Sequence, residues 1–255
     1  MKIIVAIKQV PERDAQIAIA PDGKWIDEDD LSYTINEPDA YALEEALQLK
    51  EKNGGEVIVL SLGPERVTST LREALAKGAD RAIHVEVTAE DLAARDTLGI
   101  AQLLADAIKE ESPDLILTGL QSDDLGLGQT GVVLAELLGI SHATIIMQVE
   151  KTDTGLRVKR ELEDGWFQHV DMPLPALLTI QSGGNKLRYA TLMGIKKAKS
   201  KETATVTPSD PTEASIELAK VYLPEKQKKT EMLKGTATEV ANQIVEKLKF
   251  EVRVI

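Results

Sequence analysis

The feature that most limits how this chain can fold is an alternation sustained over its first 150 residues. Short apolar runs take turns with stretches of helical period. A strand buried on one face alternates apolar and polar residues, whereas a strand buried on both faces reads as continuous Val, Ile and Leu. Ile3–Ile7, Glu56–Leu62, Arg81–Val87, Asp114–Thr118 and Ala143–Val149 read as the second kind. Between them, Ala40, Leu43, Ala46 and Leu47 share one face of a helix running from Asn36, read as its cap, to about Lys52. Val67, Leu71 and Leu75 form the stripe of the next helix, closed by Gly78. Leu92–Glu111 reads as one long helix and Gln129–Leu138 as a shorter one. Pro21-Asp22-Gly23 is a turn signal, and a small hairpin of Ile17–Ile19 with Lys24–Ile26 is expected around it. This order specifies an α/β fold, a doubly wound, mostly parallel, Rossmann-like sheet with helices on both faces.

The pattern changes after residue 150. Lys151–Glu161 and Trp166–Val170 read as antiparallel strands around Thr152-Asp153-Thr154-Gly155, and Ala176–Ile180 as one more buried strand. Gly183–Lys201 reads as a polar, basic arm and Glu202–Gly235 as loop. Thr236–Lys249 reads as an amphipathic helix carrying Val240, Ile244 and Leu248. The expected organisation is a nucleotide-binding α/β unit over 1–182 with an added antiparallel hairpin. A partner-recognition loop and extended arm follow over 183–235. A C-terminal helix and tail over 236–255 would pack on a partner subunit or on the chain's own core.

Composition narrows the chemistry. The chain has no cysteine, which excludes disulfide scaffolds, thiol catalysis and Cys-ligated metal or iron–sulfur sites. The net charge is −12 and aromatics are 3% of residues, a poor match to nucleic-acid binding. No apolar run reaches the ~18 residues that span a bilayer, and the N-terminus lacks the apolar region of a secretory signal. A soluble, cytoplasmic protein without membrane insertion is expected. His84, His142 and His169 share no metal-ligand spacing and are read as structural or surface residues.

The richest stretch is Gly119-Leu120-Gln121-Ser122-Asp123-Asp124-Leu125-Gly126-Leu127-Gly128-Gln129-Thr130-Gly131, with four glycines in thirteen residues. It lies between a strand and a helix, at the carboxyl edge where open α/β sheets bind ligands. Backbone N–H groups at a Gly-rich turn and at a helix N-terminus form an anion site, because the first N–H groups lack partners and the dipole is positive there. The bland reading is a flexible loop whose glycines serve turns. Gly126–Gly131 also fits G-x-G-x-x-G, with Glu150 about 20 residues on, but it follows the fourth strand and not the first. Asp123 and Asp124 would repel a phosphate at close range, so they are read as helix caps or as acceptors for ribose hydroxyls.

A second feature is Lys186–Lys201, where six of sixteen residues are Lys or Arg and none is acidic. Leu187, Tyr189, Leu192, Met193 and Ile195 are interleaved with them. A basic patch on an acidic protein steers acidic partners, and an apolar side chain at its tip can anchor them. A solvated linker is the alternative.

Taken together these residues resemble the β subunit of an electron-transfer flavoprotein over the whole chain. The resemblance rests on KIIVAIKQVP, Asn36-Glu37, Leu62-Gly63-Pro64, Ala76–Arg81, the loop QSDDLGLGQTG and Val158–Gly165. It continues in Gln168-His169-Val170, Pro175–Thr179 and Arg188-Tyr189-Ala190-Thr191-Leu192 with the lysines after it. The resemblance implies a heterodimer with an α subunit that holds the redox FAD, and one structural AMP in the β subunit. Ala6, Asn36, Leu62 and Gly119, Leu120, Gln121, Ser122, Asp123, Asp124, Leu125, Gly126, Leu127, Gly128, Gln129 and Thr130 would line the AMP site. Leu192 would anchor in a pocket on flavin dehydrogenases such as acyl-CoA dehydrogenases. Arg188, Tyr189, Lys196, Lys197 and Lys199 would surround it, and Arg13 would lie near the flavin. Electrons would pass on to a quinone oxidoreductase, with no bond-making step by this chain and no metal. Two alternatives stay open: a bifurcating relative with a second FAD in place of AMP and NADH as donor, and a standalone ATP- or AMP-binding enzyme or stress-type protein.

Overall fold

The computed structural model describes residues 1–208, 214–224 and 230–254. The chain runs through β1 (Lys2–Ala6), β2 (Gln9–Pro11), β3 (Tyr33–Ile35), α1 (Glu37–Asn53), β4 (Glu56–Gly63), α2 (Thr68–Lys77) and β5 (Arg81–Glu86). It continues through α3 (Ala89–Ala93), α4 (Thr97–Lys109), β6 (Leu115–Gly119), α5 (Thr130–Leu138), β7 (Ser141–Lys151), β8 (Leu156–Glu161) and β9 (Phe167–Met172). β10 (Ala176–Ile180), α6 (Leu192–Ala198), β11 (Thr203–Val206) and α7 (Ala237–Glu246) complete it. The main sheet has nine strands in the order β11-β5-β4-β1-β6-β10-β7-β8-β9. The first seven strands in that order, β11 through β7, pair in parallel, and β8 and β9 add to β7 in antiparallel fashion. This is the expected doubly wound, mostly parallel α/β sheet with an antiparallel addition.

Why the apolar runs are continuous is visible in the packing. On β1, Ile3 and Val5 join a core with Leu43 and Ala46 of α1 and Leu71 and Ala74 of α2. Ile4, between them, points to the opposite face and packs with Ala101 and Leu104 of α4 and Leu134 of α5. All three β1 residues are fully buried, so neither face tolerates a polar residue.

The structure corrects several local expectations. The hairpin around Pro21–Gly23 is reduced to a single bridge between Ile19 and Ile26. The antiparallel pair in that region is β2 with β3, on either side of the whole 12–32 excursion. The long helix expected over Leu92–Glu111 is two helices. Asp96 breaks it: its Oδ1 accepts the Gly99 N–H at 2.9 Å and caps α4, while Oδ2 accepts the Ser215 N–H at 2.8 Å. The Thr152–Gly155 turn joins β7 to β8, so the antiparallel strands are Ser141–Lys151 and Leu156–Glu161, with β9 added beyond. Within the stretch read as loop, Thr203–Val206 adds a parallel edge strand to β5. Residues 209–213 and 225–229 of that stretch lie outside the described residues. The C-terminal helix starts at a reciprocal Thr236–Glu239 capping box but ends at Glu246, passing into a wider helical turn over Lys247–Val252.

Gly131 shows how closely α5 sits on the sheet. A Cβ there would stand 2.7 Å from Thr179 Cγ2 and 2.8 Å from Thr118 Oγ1, both on buried strand residues. Gly131→Val is therefore expected to lower stability by about 1–3 kcal/mol, as overpacking typically does. An unchanged urea midpoint for this variant would show that α5 is not held at that distance.

Candidate functional site

From β1 the chain winds outward through β4 to β5, then returns to the other side of β1 as β6. The strand order thus reverses between β1 and β6, and this switch point at the carboxyl edge is where open α/β sheets carry their ligand crevice. One wall is Lys8 and its neighbours after β1. The other is the Gly-rich segment between β6 and α5.

Two side chains from the start of α1 tie these walls together. Asp39 accepts the Lys8 N–H on Oδ2 and the Gly119 N–H on Oδ1, both at 2.7 Å. A Cβ at Gly119 would overlap this carboxylate and Pro38, so only glycine lets the strand end reach it. Asn36 donates its Nδ2–H to the Gln121 carbonyl at 3.0 Å, and its Oδ1 accepts the Asp123 N–H at 2.8 Å. Asn36 stands at the cap position of α1, yet its side chain makes no cap bond. The expectation that it caps the helix is corrected: its amide is committed to the loop, where both of its polar ends find partners.

The two loop aspartates do not cap α5 either. Asp124 receives Lys8 Nζ at 2.6 Å across the mouth of the crevice. Burial would raise its carboxyl, but the Lys8 charge and hydrogen bonds from Lys8, Ser122 and the Leu125 N–H hold it below the usual range. Asp123 accepts the Glu37 N–H at 3.3 Å and lies 3.8 Å from Arg13, which is also ion-paired to Glu37. Beyond these residues Gly126 and Gly128 adopt left-handed φ of +62° and +64°. Gln129 then leads into α5 without a side-chain cap, as at α1 and α2, whereas Thr88, Asp96, Thr191 and Thr236 cap α3, α4, α6 and α7. The first N–H groups of α5 thus have no side-chain acceptor at the cap.

Ala6 and Leu62, at the ends of β1 and β4, are half-buried and pack on the α4–α5 side of the sheet. Leu125 and Leu127 stand exposed on the loop, and Leu120, Gln121, Ser122 and Thr130 complete it. Ala6, Leu62 and the 119–130 segment therefore lie along one edge. Asn36 reaches the loop from the α1 side and is itself buried.

The basic arm holds its residues differently. Tyr189 and Leu192 are 92% and 85% exposed, with Met193, Lys196, Lys197 and Lys199 exposed beside them. Arg188 instead turns inward to α1, pairing with Glu44 at 2.8 Å and Glu51 at 2.6 Å. His84 is buried with Nε2 2.8 Å from the Gly63 carbonyl, while His142 and His169 are exposed. Among the described residues no group of three His, Cys, Asp or Glu could hold a metal, and no helix is long and apolar enough to cross a membrane.

Lys8 and Asp39 were not singled out in the sequence. Asp39 reads there as an ordinary acidic residue in a helix's first turn, and nothing marks it as buried. Its only signal is its place beside Pro38, one turn after Asn36.

Fold and crevice place the chain among doubly wound α/β proteins that present a Gly-rich loop and an uncapped helix at the switch point of the sheet. Comparison with known proteins narrows this further. Residues 24–211 match the electron transfer flavoprotein domain. The chain is 39% identical over 259 residues to the electron transfer flavoprotein subunit beta of Methylophilus methylotrophus, covering 96% of this chain and 97% of the relative. It is 36% identical to that of Bacillus subtilis over the full length of both, and 35% identical to that of Homo sapiens over 98% of this chain and 97% of the relative. The chain belongs to the electron transfer flavoprotein family and aligns end to end with its beta subunits.

The Asp39 clamp carries a pH signature. Burial, the largest influence, raises its carboxyl to about 7 from 3.8, against the lowering effect of the Lys8 and Gly119 N–H bonds. The folded state thus keeps a proton that the unfolded chain releases above about 3.8. Its contribution to stability is full below that pH and is lost as pH rises through about 7. Relative to Asp39→Asn, which does not titrate, the wild-type protein is expected to lose stability between pH 4 and 8 in urea unfolding. A pH-independent difference would rule this out.

Proposed function

We propose that this chain is the beta subunit of a heterodimeric electron transfer flavoprotein. It holds one AMP as a structural ligand, docks flavin dehydrogenases through its arm, and so brings them to an FAD held mainly by the alpha subunit. The names of its relatives support the subunit role, and the exposed arm supports docking. The observation that carries the nucleotide part is the uncapped start of α5, reached through two left-handed glycines at the switch point. The residues fit a nucleotide: backbone N–H groups of the first turn of α5 would take the phosphate, and Ala6, Leu62 and the exposed loop leucines would flank the rest.

The charges favour one phosphate over three. Gly119–Gly131 contains no Lys or Arg, Lys8 is paired with Asp124, and Arg13 with Glu37. A triphosphate would meet Asp123 and Asp124 with no unpaired cation beside them, which speaks against the standalone ATP-binding reading. The FAD, when bound, supplies the acceptance and release of electrons. The residues of this chain bind, orient and dock. In this reading Arg13, 70% exposed at its side chain, would face the flavin of the alpha subunit, and the exposed Leu192 would enter an apolar pocket on an acyl-CoA dehydrogenase or similar donor. A quinone oxidoreductase would take the electrons, and the cytoplasm is the proposed compartment.

The decisive measurement is nucleotide identity. The complex is purified, denatured, and its released nucleotides counted by chromatography and mass spectrometry. One FAD and one AMP per heterodimer is the expected result. Two FAD and no AMP would replace the structural ligand with a second redox flavin and make NADH-driven bifurcation the mechanism. Gly128→Val, whose site is roomy but left-handed, is expected to eject the nucleotide without the core strain of Gly131→Val. Full retention would show that the loop does not cradle it.

Leu192→Ala is expected to lower kcat/KM for reduction by the dehydrogenase about thirty-fold, matching the ~2 kcal/mol of a docking anchor. Nucleotide content should stay intact. Unchanged kinetics with every dehydrogenase that reduces the wild-type protein would remove the docking role.

A further inference from the structure

α1 carries two consecutive buried acids, Glu44 and Glu45, which are 5% and 7% exposed. Carboxylates are seldom buried in a helix face unless something compensates them. Here the compensation comes largely from the arm. Glu44 accepts the Arg188 backbone N–H at 3.3 Å and its Nε–H and Nη2–H at 2.8 and 3.0 Å, with Gln48 as its other donor. Those Arg188 bonds hold its carboxyl below the usual range against the desolvation that would raise it. Glu45 takes the Asn185 side-chain amide and the Val149 N–H. One turn beyond Gln48, Glu51 receives Arg188 Nη1 at 2.6 Å.

The far end of the arm is fixed as well. A Cβ at Gly194 would overlap the Ala76 carbonyl, so α6 lies directly on the end of α2. Ala198 is buried there, and Lys201 Nζ donates to the Leu75 carbonyl at 2.9 Å. Between these two anchorages Tyr189, Leu192 and Met193 have nowhere to point but outward.

We propose that Glu44, Glu45 and Glu51 of α1 are positioning residues that hold the arm, through Arg188 and Asn185, in the orientation from which it docks its electron donor. This rests on the docking role of the arm proposed above. A segment already ordered before docking loses less conformational freedom on binding, so the anchorage acts on affinity and not on the electron-transfer step. Arg188, half-buried against α1, thereby serves to anchor the arm, and the contact with a donor falls to Tyr189, Leu192 and the lysines.

The test uses the purified heterodimer with Glu44→Gln, Glu44→Gln/Glu51→Gln and, as a milder change outside the acids, Arg188→Lys. Hydrogen exchange is followed over residues 186–199 and, as an internal reference, over 120–131. Reduction by an acyl-CoA dehydrogenase that accepts the wild-type protein gives KM and kcat for the carrier. The expected result for the Gln variants is exchange at least ten-fold faster in the arm alone, KM raised about ten-fold, kcat within two-fold and nucleotide content unchanged. If a Gln variant also loosens 120–131, the fold is disturbed and Arg188→Lys decides by its arm exchange. Unchanged arm exchange in the Gln and Lys variants overturns the proposal. Faster arm exchange with unchanged KM also overturns it, provided Leu192→Ala slows reduction. If Leu192→Ala has no effect either, the docking role itself has failed and the arm orientation has no donor to serve.

Discussion

A single buried carboxylate holds the two halves of the crevice in register. Asp39 receives one N–H from the end of β1 and one from the end of β6, strands that are adjacent in the sheet but far apart in sequence. Parallel strands end in unpaired backbone groups, and at a switch point the loops part, so no neighbouring loop can satisfy them. A side chain from the crossover helix does so instead. The cost is desolvation, which pushes the Asp39 carboxyl up to about 7. Gly119 and the position of Pro38 follow from the same contact, because no other residue leaves room for it.

The helix that carries Asp39 serves more than the crevice. Its first turn also sends Asn36 to the loop, and its middle turns send Glu44 and Glu45 toward the arm. The glycine-rich loop and the basic arm are thus braced on one rod, itself packed on the sheet through Leu43, Ala46 and Leu47. Charge is sorted in the same way. The protein carries −12 overall, yet the basic residues of the arm divide into two turned inward, Arg188 and Lys201, and four turned out. The outward set can steer an acidic surface at long range, and the apolar tip among them can be desolvated on contact.

The pattern of the chain made much of this legible. Apolar runs continuous over Ile3–Ile7 and Glu56–Leu62 demanded a sheet covered on both faces, since no half-exposed strand tolerates them. Four glycines between a strand and a helix marked the loop, because glycine in that position has few other uses. The apolar residues among the lysines of the arm marked an exposed tip for similar reasons. The break at Asp96 was missed because an aspartate inside a helical period reads as a surface residue until its backbone partner at Gly99 is seen. The edge strand Thr203–Val206 was missed because four residues, mostly exposed, carry almost no hydrophobic signal.

Local composition by itself determined the fold class, the position of the glycine-rich loop and the presence of a basic, apolar-tipped arm. Each depends on interactions between residues near in sequence, or on a periodicity that any burial must respect. Only the tertiary structure decided what Asn36, Asp39, Glu44 and Arg188 do. Asn36 reads as a cap and is a loop tie, and Arg188 reads only as one more basic residue of the arm, where the structure pairs it with Glu44 and Glu51 of α1. Apart from Lys8, 31 residues from Asp39, and Gln48, four from Glu44, their partners lie 80 to 144 residues away, and a polar side chain carries no mark in the sequence of the distant group that will satisfy it.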